Sequence, residues 1–429
     1  MLEPVAIIDG CRTPFVKAGD AFSHVPAQTL GRIVTSELLA RTQVDPHHVD
    51  EVVFGNVAQP MDATNIGRVI ALQAGLPLSI SAQTVSRNCA SGLQSIVTAA
   101  HLIQSKSAEV VIAGGTESMS NIPLVFPKSM SLFLAKLSRS KTFLKKIKTF
   151  TAFRPAMLKP IIALVQGLND PFCGLSMGQT AQVLANEFGI SRNAQDQFAL
   201  LSHQKALHAA ASGRFAHEIV PVFAPQSKKI IDQDIGPRQG QSLEALGKLK
   251  PYFDRRHGSV TVGNSCPITD GASALLLMSA QKVKEHNLKP LAWIRGCAFG
   301  GLDPKRMGLG PAVAMPLALH KTSKTLNQMD LIEINEAFAA QVLAVLEVCK
   351  KPSTAHHVTI PHADTLSEID PTILNVNGGA VALGHPVGTS GNRIVLTLAK
   401  ELQLQNKSYG MASICIGGGQ GGAIILEKD

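Results

Sequence analysis

The chain has 429 residues, 45% hydrophobic and 17% charged, which suffices for two or three domains around a sizeable core and excludes an extensively disordered chain. No run approaches the roughly 18 apolar residues of a membrane span, and seven scattered cysteines without a CxxC pair exclude a disulfide framework and a four-cysteine zinc site. The net charge of +9 has one source, because nine basic residues and no acidic one lie between Ser118 and Asn169 while the rest of the chain is balanced.

MLEPVAIIDG runs straight into strand chemistry with no cationic or apolar leader pattern, so the expected compartment is the reducing cytoplasm. A helix over Leu30–Leu39 follows, and VDPHHVDEVVFGN ends a connection in a second strand. QTVSRNCASGLQSIVTAAHLIQ then puts Cys89 where a strand gives way to a helix. Unpaired N–H groups at a helix start favour a thiolate and can hold a carbonyl oxygen beside it. Taken singly, such a cysteine is as well explained as a small buried hydrophobe. EVVIAGGTES reads as a buried strand running into a glycine turn.

The middle of the chain differs. Residues 124–169 form a basic insert in which Met130, Phe133, Leu134 and Leu137 share one helical face, and Phe143, Ile147 and Phe150 another amid lysines. That pattern suits an anionic membrane surface, a partner subunit, CoA phosphates, or a solvated cover, and it carries no recognised nucleic-acid motif. A helix capped by Ser191 and stopped near Gly213 follows, and KLKPYFDRRHGSVTVGNSCPITDGASALLLM returns to strand chemistry.

The end repeats the plan of the beginning. PLALHKTSKTLNQMDLIEINEAF pairs a helix, a connection and a strand as the first part does, with Asp50 and Asp330 in like positions. ILNVNGGAVALGHPVGTSGNRIV puts His385 among glycines before a helix, and YGMASICIGGGQGGAIILE puts Cys415 at a strand end before a run of glycines. Glycine at that density lets main chain approach a ligand and frees N–H groups for an oxyanion. Two thiols and an imidazole, each at a glycine-lined junction of two repeated halves, are the groups that acyl transfer between thioesters needs: a nucleophile, its activating base, and a second acid/base. Asn335, in NEAFA, adds an amide able to orient a water.

These stretches resemble the thiolase family. NCASGLQS is similar to its nucleophile motif, NEAFA to its asparagine motif, GGAVALGHPVGTSG to its histidine motif and CIGGGQG to its second-cysteine motif; AGGTESMSNIP, GLNDPFCGLSMGQTAQ and SRNAQDQFALLSHQKA match between them, in the family's order. The resemblance implies a five-layered αβαβα α/β fold with two similar halves, residues 1–121 with 269–290 and residues 291–429, and a loop domain over 122–268. It implies that Cys89 carries the acyl group, His385 activates it, Cys415 exchanges a proton with the acetyl-CoA carbon, and Asn335 holds a water that binds a thioester oxygen with His385. The N–H groups of Cys89 and Gly417 would form a second oxyanion hole. Arg238 matches a nucleotide contact, and Met177 and Cys266 fall at positions lining the CoA site. Ala245 and Cys266 replace serines of well-known relatives, and Ser176 stands where a histidine is common.

The implied activity is cleavage of 3-ketoacyl-CoA with CoA, without a permanently bound cofactor or metal. The alternatives are acetoacetyl-CoA synthesis, a 3-ketoacyl synthase, which the retained Cys415 speaks against, and an inactive scaffold or membrane-docking subunit. By the same resemblance the chain is a homodimer or homotetramer. The basic insert is similar to that of fatty-acid oxidation β-subunits, which implies an α-subunit partner or peripheral membrane contact through residues 128–150; those subunits usually carry histidine where this chain has Asn335.

Overall fold

The computed structural model describes residues 4–428. A single ten-stranded sheet carries both halves, nine strands on one continuous path and Val16–Lys17 beside it on Thr269–Ser279, and the halves join edge to edge where Val5–Arg12 pairs antiparallel with Ala292–Gly301. On one side the order outward from Val5–Arg12 is Thr269–Ser279, Val110–Glu117, Glu51–Gly55, Ser81–Val85, with only the last two pairings parallel. On the other, outward from Ala292–Gly301, it is Gln420–Glu427, Tyr409–Ile416, Leu331–Ile334, with the last pairing parallel. A lone parallel bridge between Ile332 and Leu374 stands in the fifth place.

Strand periodicity sorts the side chains into layers. Ala6, Ile8, Val52, Phe54, Val110 and Ile112 face an outer core with helices Ala27–Thr42 and Ile66–Gln73. Val5, Ile7, Val53, Val111 and Ala113 face inward, onto helices Ser91–Gln104 and Val387–Leu404, and meet Ala412, Ile414, Ile424 and Leu426 of the second half in the same core. Met411, Ala423 and Ile425 face the opposite outer core, with helices Gly310–Lys321 and Ala339–Lys350. The sequence of layers is therefore αβαβα. Burying a side chain such as Ile96 or Leu396 in the central layer contributes about 1.5–3 kcal/mol. The two central helices approach through glycine, since a Cβ on Gly92 would lie 2.7 Å from the Asn392 nitrogen and one on Gly391 2.5 Å from the Leu93 nitrogen.

The repeat extends to single hydrogen bonds. Asp50 accepts from the Glu109 and Val110 N–H groups at 2.7 and 2.9 Å, and Asp330 from those of Ser408 and Tyr409 at 3.0 and 2.8 Å. Each carboxylate ties the residue before a strand to the start of its parallel neighbour.

Helices Met177–Glu187 and Arg192–Ala211 cover the second half; Ser191 caps the latter by accepting from the Ala194 N–H, and Gly213 after its end is left-handed, with φ of 74°. The stretch from Lys248 returns to strand chemistry at Thr269–Ser279. Residues 258–268 form a loop because side chains take its N–H groups: Gln182 accepts from Ser259 and Val260, and Asn264 from Thr261. A buried ion cluster ties this region to both halves, with Arg12 on Glu218 and Asp234, and Arg214 on Glu218 and Glu401. In the insert, helices Lys128–Arg139 and Phe143–Phe150 fold together through Phe133, whose ring lies 5.8 Å from Phe150 and 5.6 Å from Phe153.

Candidate active site

Cys89 lies in the turn between strand Ser81–Val85 and helix Ser91–Gln104. Asn88 before it has a left-handed φ of 44°, and Ser91 locks the turn by accepting from the Arg87 N–H at 2.9 Å and donating to the Asn88 carbonyl at 2.7 Å. Asn88 also donates to the Gly417 carbonyl at 2.8 Å, which joins the nucleophile turn to the glycine turn after Cys415. The backbone N–H groups of Gly417 and of Cys89 itself act on the Cys89 sulfur and favour its thiolate. Two N–H groups from opposite halves thus converge on the place where an acyl oxygen on that sulfur would sit. The turn reverses because Gly418 and Gly419 adopt φ of 90° and 80°.

His385 occupies the corresponding place in the second half, two residues before helix Val387–Leu404. Its Nδ1 lies 2.6 Å from the Ser390 hydroxyl, which itself donates to the Pro386 carbonyl at 3.0 Å. The hydroxyl's only proton is engaged, so Ser390 accepts from Nδ1–H and leaves the Nε2 lone pair free. Nε2 is buried and has no protein partner, and neither have the Asn335 Oδ1 and Nδ2. Buried polar atoms are normally satisfied, so these three are available to a bound molecule. Asn335 is placed at the end of strand Leu331–Ile334 by its N–H bond to the Ser413 carbonyl, beside the strand that carries Cys415.

Cys415 packs with Ala337, Phe338 and Val260, against Met177 and Phe253 of the covering region. The Met177 sulfur lies 3.2 Å from where a Cβ on Gly417 would stand, so this helix start closes over the glycine turn. Cys266 donates its N–H to the Ala337 carbonyl, and the next residue, Pro267, accepts from the His385 N–H at 3.3 Å, so one loop spans the asparagine and histidine motifs. Arg238 is apart from this group: it is exposed, and its N–H reaches His203 Nδ1 at 3.3 Å.

Burial sets the protonation states. It raises the Cys89 thiol, helped by the Glu117 charge and opposed by the two N–H bonds. It pushes Cys266 to about 12, with Cys89 adding to the rise, and Cys415 well above the ordinary thiol range, with Cys89 and Cys266 adding. Burial and then Arg393 lower His385 to about 4. Near neutrality the site holds protonated thiols and a neutral imidazole.

Sequence reasoning passed over Ser390, Asn88 and two buried carboxylates, Glu117 and Glu336. All four lie inside stretches singled out for other residues, and the available signal was a polar side chain within those stretches.

Two family models cover the chain, Thiolase, N-terminal domain, over residues 5–281 and Thiolase, C-terminal domain, over residues 288–428. The chain belongs to the thiolase family. It is 39% identical over 428 residues to a protein of Yersinia enterocolitica named 3-ketoacyl-CoA thiolase, spanning 100% of this chain and 97% of that one. Among solved structures, the acetyl-CoA acetyltransferase of Bacillus anthracis matches with a TM-score of 0.87 at 38% identity, covering 99% of both chains. Human mitochondrial 3-ketoacyl-CoA thiolase in complex with CoA matches with a TM-score of 0.86 at 36% identity, covering 100% of this chain and 98% of that one.

Proposed function

We propose that the chain is a 3-ketoacyl-CoA thiolase of fatty-acid β-oxidation, an acyltransferase that cleaves 3-ketoacyl-CoA with CoA into acetyl-CoA and a shortened acyl-CoA. The observation that carries the mechanism is the hydrogen bond from Asn88 that ties the Cys89 turn to the Gly417 turn, together with the buried, unpartnered His385 Nε2 and Asn335 amide. His385 Nε2 takes the Cys89 proton and the sulfur bonds to the 3-keto carbon, whose oxygen is held by the two N–H groups. The bond between C2 and C3 then breaks, and its electron pair remains on C2 as the enolate of acetyl-CoA. Cys415 protonates C2, while His385 and an Asn335-held water bind the enolate oxygen. Free CoA gives its thiol proton to Cys415 and attacks the acyl group, and Cys89 leaves as the thiolate, which recovers its proton from His385. Met177, Cys266 and Arg238 line the path of the CoA. Residues 1–121 with 269–290 supply the nucleophile, residues 291–429 the other three groups, and residues 122–268 the cover.

Thiolysis rates across 3-ketoacyl-CoAs of four to sixteen carbons, with Cys89→Ala as the blank, test the reading. A kcat/KM that rises with chain length is expected. Cleavage of acetoacetyl-CoA alone would instead assign the synthetic, two-acetyl-CoA reaction, and no cleavage the scaffold role.

The insert carries a peripheral membrane contact. Phe143, Leu144 and Phe150 are exposed beside Lys145, Lys146 and Lys148, with no acidic residue in the segment. An apolar face ringed by cations suits an anionic bilayer. Among the described residues no helix is long and apolar enough to cross a membrane. Pelleting with anionic liposomes is expected to be lost on deleting residues 128–150; unchanged pelleting would contradict the contact, and capture of an α-subunit by the same segment would replace it. The enzyme works in the cytoplasm as a homodimer or homotetramer, which light scattering reads directly.

A further inference from the structure

Two buried carboxylates take no part in the chemistry just described, yet both end on the backbone that carries His385. Glu117, at the end of strand Val110–Glu117 in the first half, accepts from the Gly388 N–H at 3.0 Å. Glu336, just past strand Leu331–Ile334 in the second, accepts from the Val381 N–H at 3.2 Å. His385 lies between these two anchor points. Each carboxylate is essentially without solvent exposure, and neither is in an ion pair among the described residues. Each is instead surrounded by donors. Glu117 also accepts from the Asn56 side chain at 3.0 Å and the Val57 and Ala58 N–H groups at 3.1 Å, and Glu336 from the Ser202 hydroxyl at 2.6 Å and the Asn375 side chain at 2.8 Å.

Glycine makes both approaches feasible. A Cβ on Gly388 would stand 2.8 Å from the Glu117 carboxylate oxygen, and one on Gly379 2.2 Å from the Glu336 carboxyl carbon. Between the anchors, Gly384 has φ of 105° and a Cβ there would meet the Thr269 side chain at 2.3 Å, so the chain turns toward His385 in a conformation that glycine permits. Burying a charge with hydrogen bonds alone costs stability that a well-packed apolar pair would not. An N–H donor bonded to a buried carboxylate, in turn, is held more firmly than one bonded to a neutral acceptor.

We propose that Glu117 and Glu336 are positioning residues for the reaction: one carboxylate from each half clamps the chain on either side of His385 and sets where Nε2 points. The proposal rests on the thiolase reading for its substrate and on the geometry alone for the clamp. Replacing either by Gln is informative because the Glu117 oxygens face N–H donors only, and the Glu336 oxygens face two N–H groups and the Ser202 hydroxyl, so an amide gives up part of the grip. Glu333 is the matched comparison. It is buried in the same region but bonds the Arg393 side chain at 3.2 Å, further along the helix, and touches neither anchor point.

The experiment uses full-length E117Q, E336Q, the double variant and E333Q, each checked by thermal melting. It measures kcat and KM for thiolysis, and the rate at which iodoacetamide alkylates Cys89 with and without His385→Ala. Each clamp variant is expected to lower kcat by about 10²-fold, the cost of displacing a catalytic group by about an ångström, with KM within about threefold. The double variant is expected to lose less than the product of the two, because both act on one segment. Alkylation should slow in the wild-type background and change little in the His385→Ala background; for Glu117 the lost charge near Cys89 acts in the opposite direction, which makes slowing the stricter result. E333Q should leave kcat within about twofold of wild type.

Unchanged kcat in folded clamp variants overturns the proposal, as does an equal loss in E333Q or an equal slowing of alkylation in both backgrounds. If a Gln variant does not fold, Glu117→Asp and Glu336→Asp decide, since a shortened carboxylate that keeps its donors should retain more kcat than its melting loss implies. If the wild type cleaves no 3-ketoacyl-CoA, the functional reading fails while the alkylation cycle still tests the clamp.

Discussion

The two halves share a frame and differ in what stands at matching places. Cys89 and His385 both lie two residues before a central helix, one a thiol held by N–H groups and the other an imidazole held by Ser390. With Asp50 matched to Asp330, Thr116 falls where Cys415 does. In the first half that position is closed, because the Thr116 hydroxyl donates to the Ala27 carbonyl at 2.7 Å at the start of an outer helix. In the second half Cys415 meets Met177 and Phe253 instead. The frame therefore supplies two equivalent helix starts, and what differs is the cover: Met177 and Phe253 close over Cys415, while Val220, Val222 and Ala224 of the same region pack into the first half's outer core.

The comparison is broken most severely by removing the reactive groups. Cys89→Ala is expected to lower thiolysis by roughly 10⁴-fold or more, measured as kcat/KM, since no other thiol stands where two N–H groups converge. Asn335→Ala should cost less, about 10²-fold in kcat, because it removes one support of an oxygen and leaves the nucleophile intact.

Next in size is the pH dependence of stability, which the buried groups of the halves drive in opposite senses. His385 is lowered to about 4 from 6.5, so its contribution is present above 6.5 and lost as pH falls toward 4. Glu117 is raised to about 7 from 4.5 by burial against four donors, so its contribution is present below 4.5 and lost as pH rises through 7. Each spans roughly 3 kcal/mol, and denaturant titrations should show His385→Gln flattening the acid side and Glu117→Gln the neutral side. The smallest effect concerns the frame. Asp50→Asn and Asp330→Asn should each lower stability by about 1–2 kcal/mol, and by the same amount if the two turns are equivalent.

Much of this organisation is legible in the amino-acid order, because it rests on local periodicity and on residue types that chemistry restricts. Val110, Val111 and Ile112 announce a strand covered on both faces, and glycines accompany Cys89, His385 and Cys415. The repeat is readable because Asp50 and Asp330 do the same work at the same step. What stays hidden depends on contacts distant in the chain. Glu117 reads as the end of a strand motif, and only folding brings it to Gly388, 271 residues away. Residues 258–268 look like a strand in composition, but Gln182, on a helix some 77 residues earlier, takes their N–H groups first. Protonation states are hidden for the same reason, since burial in the assembled layers sets them.

The central claim is that Cys89 carries the acyl group, and the direct measurement is peptide mass spectrometry after mixing the enzyme with a 3-ketoacyl-CoA and no free CoA. The account predicts one adduct on Cys89, two carbons shorter than the substrate's acyl chain, with an equal amount of acetyl-CoA released. An adduct on Cys266 or Cys415, or acetyl-CoA released with Cys89 unmodified, would contradict it.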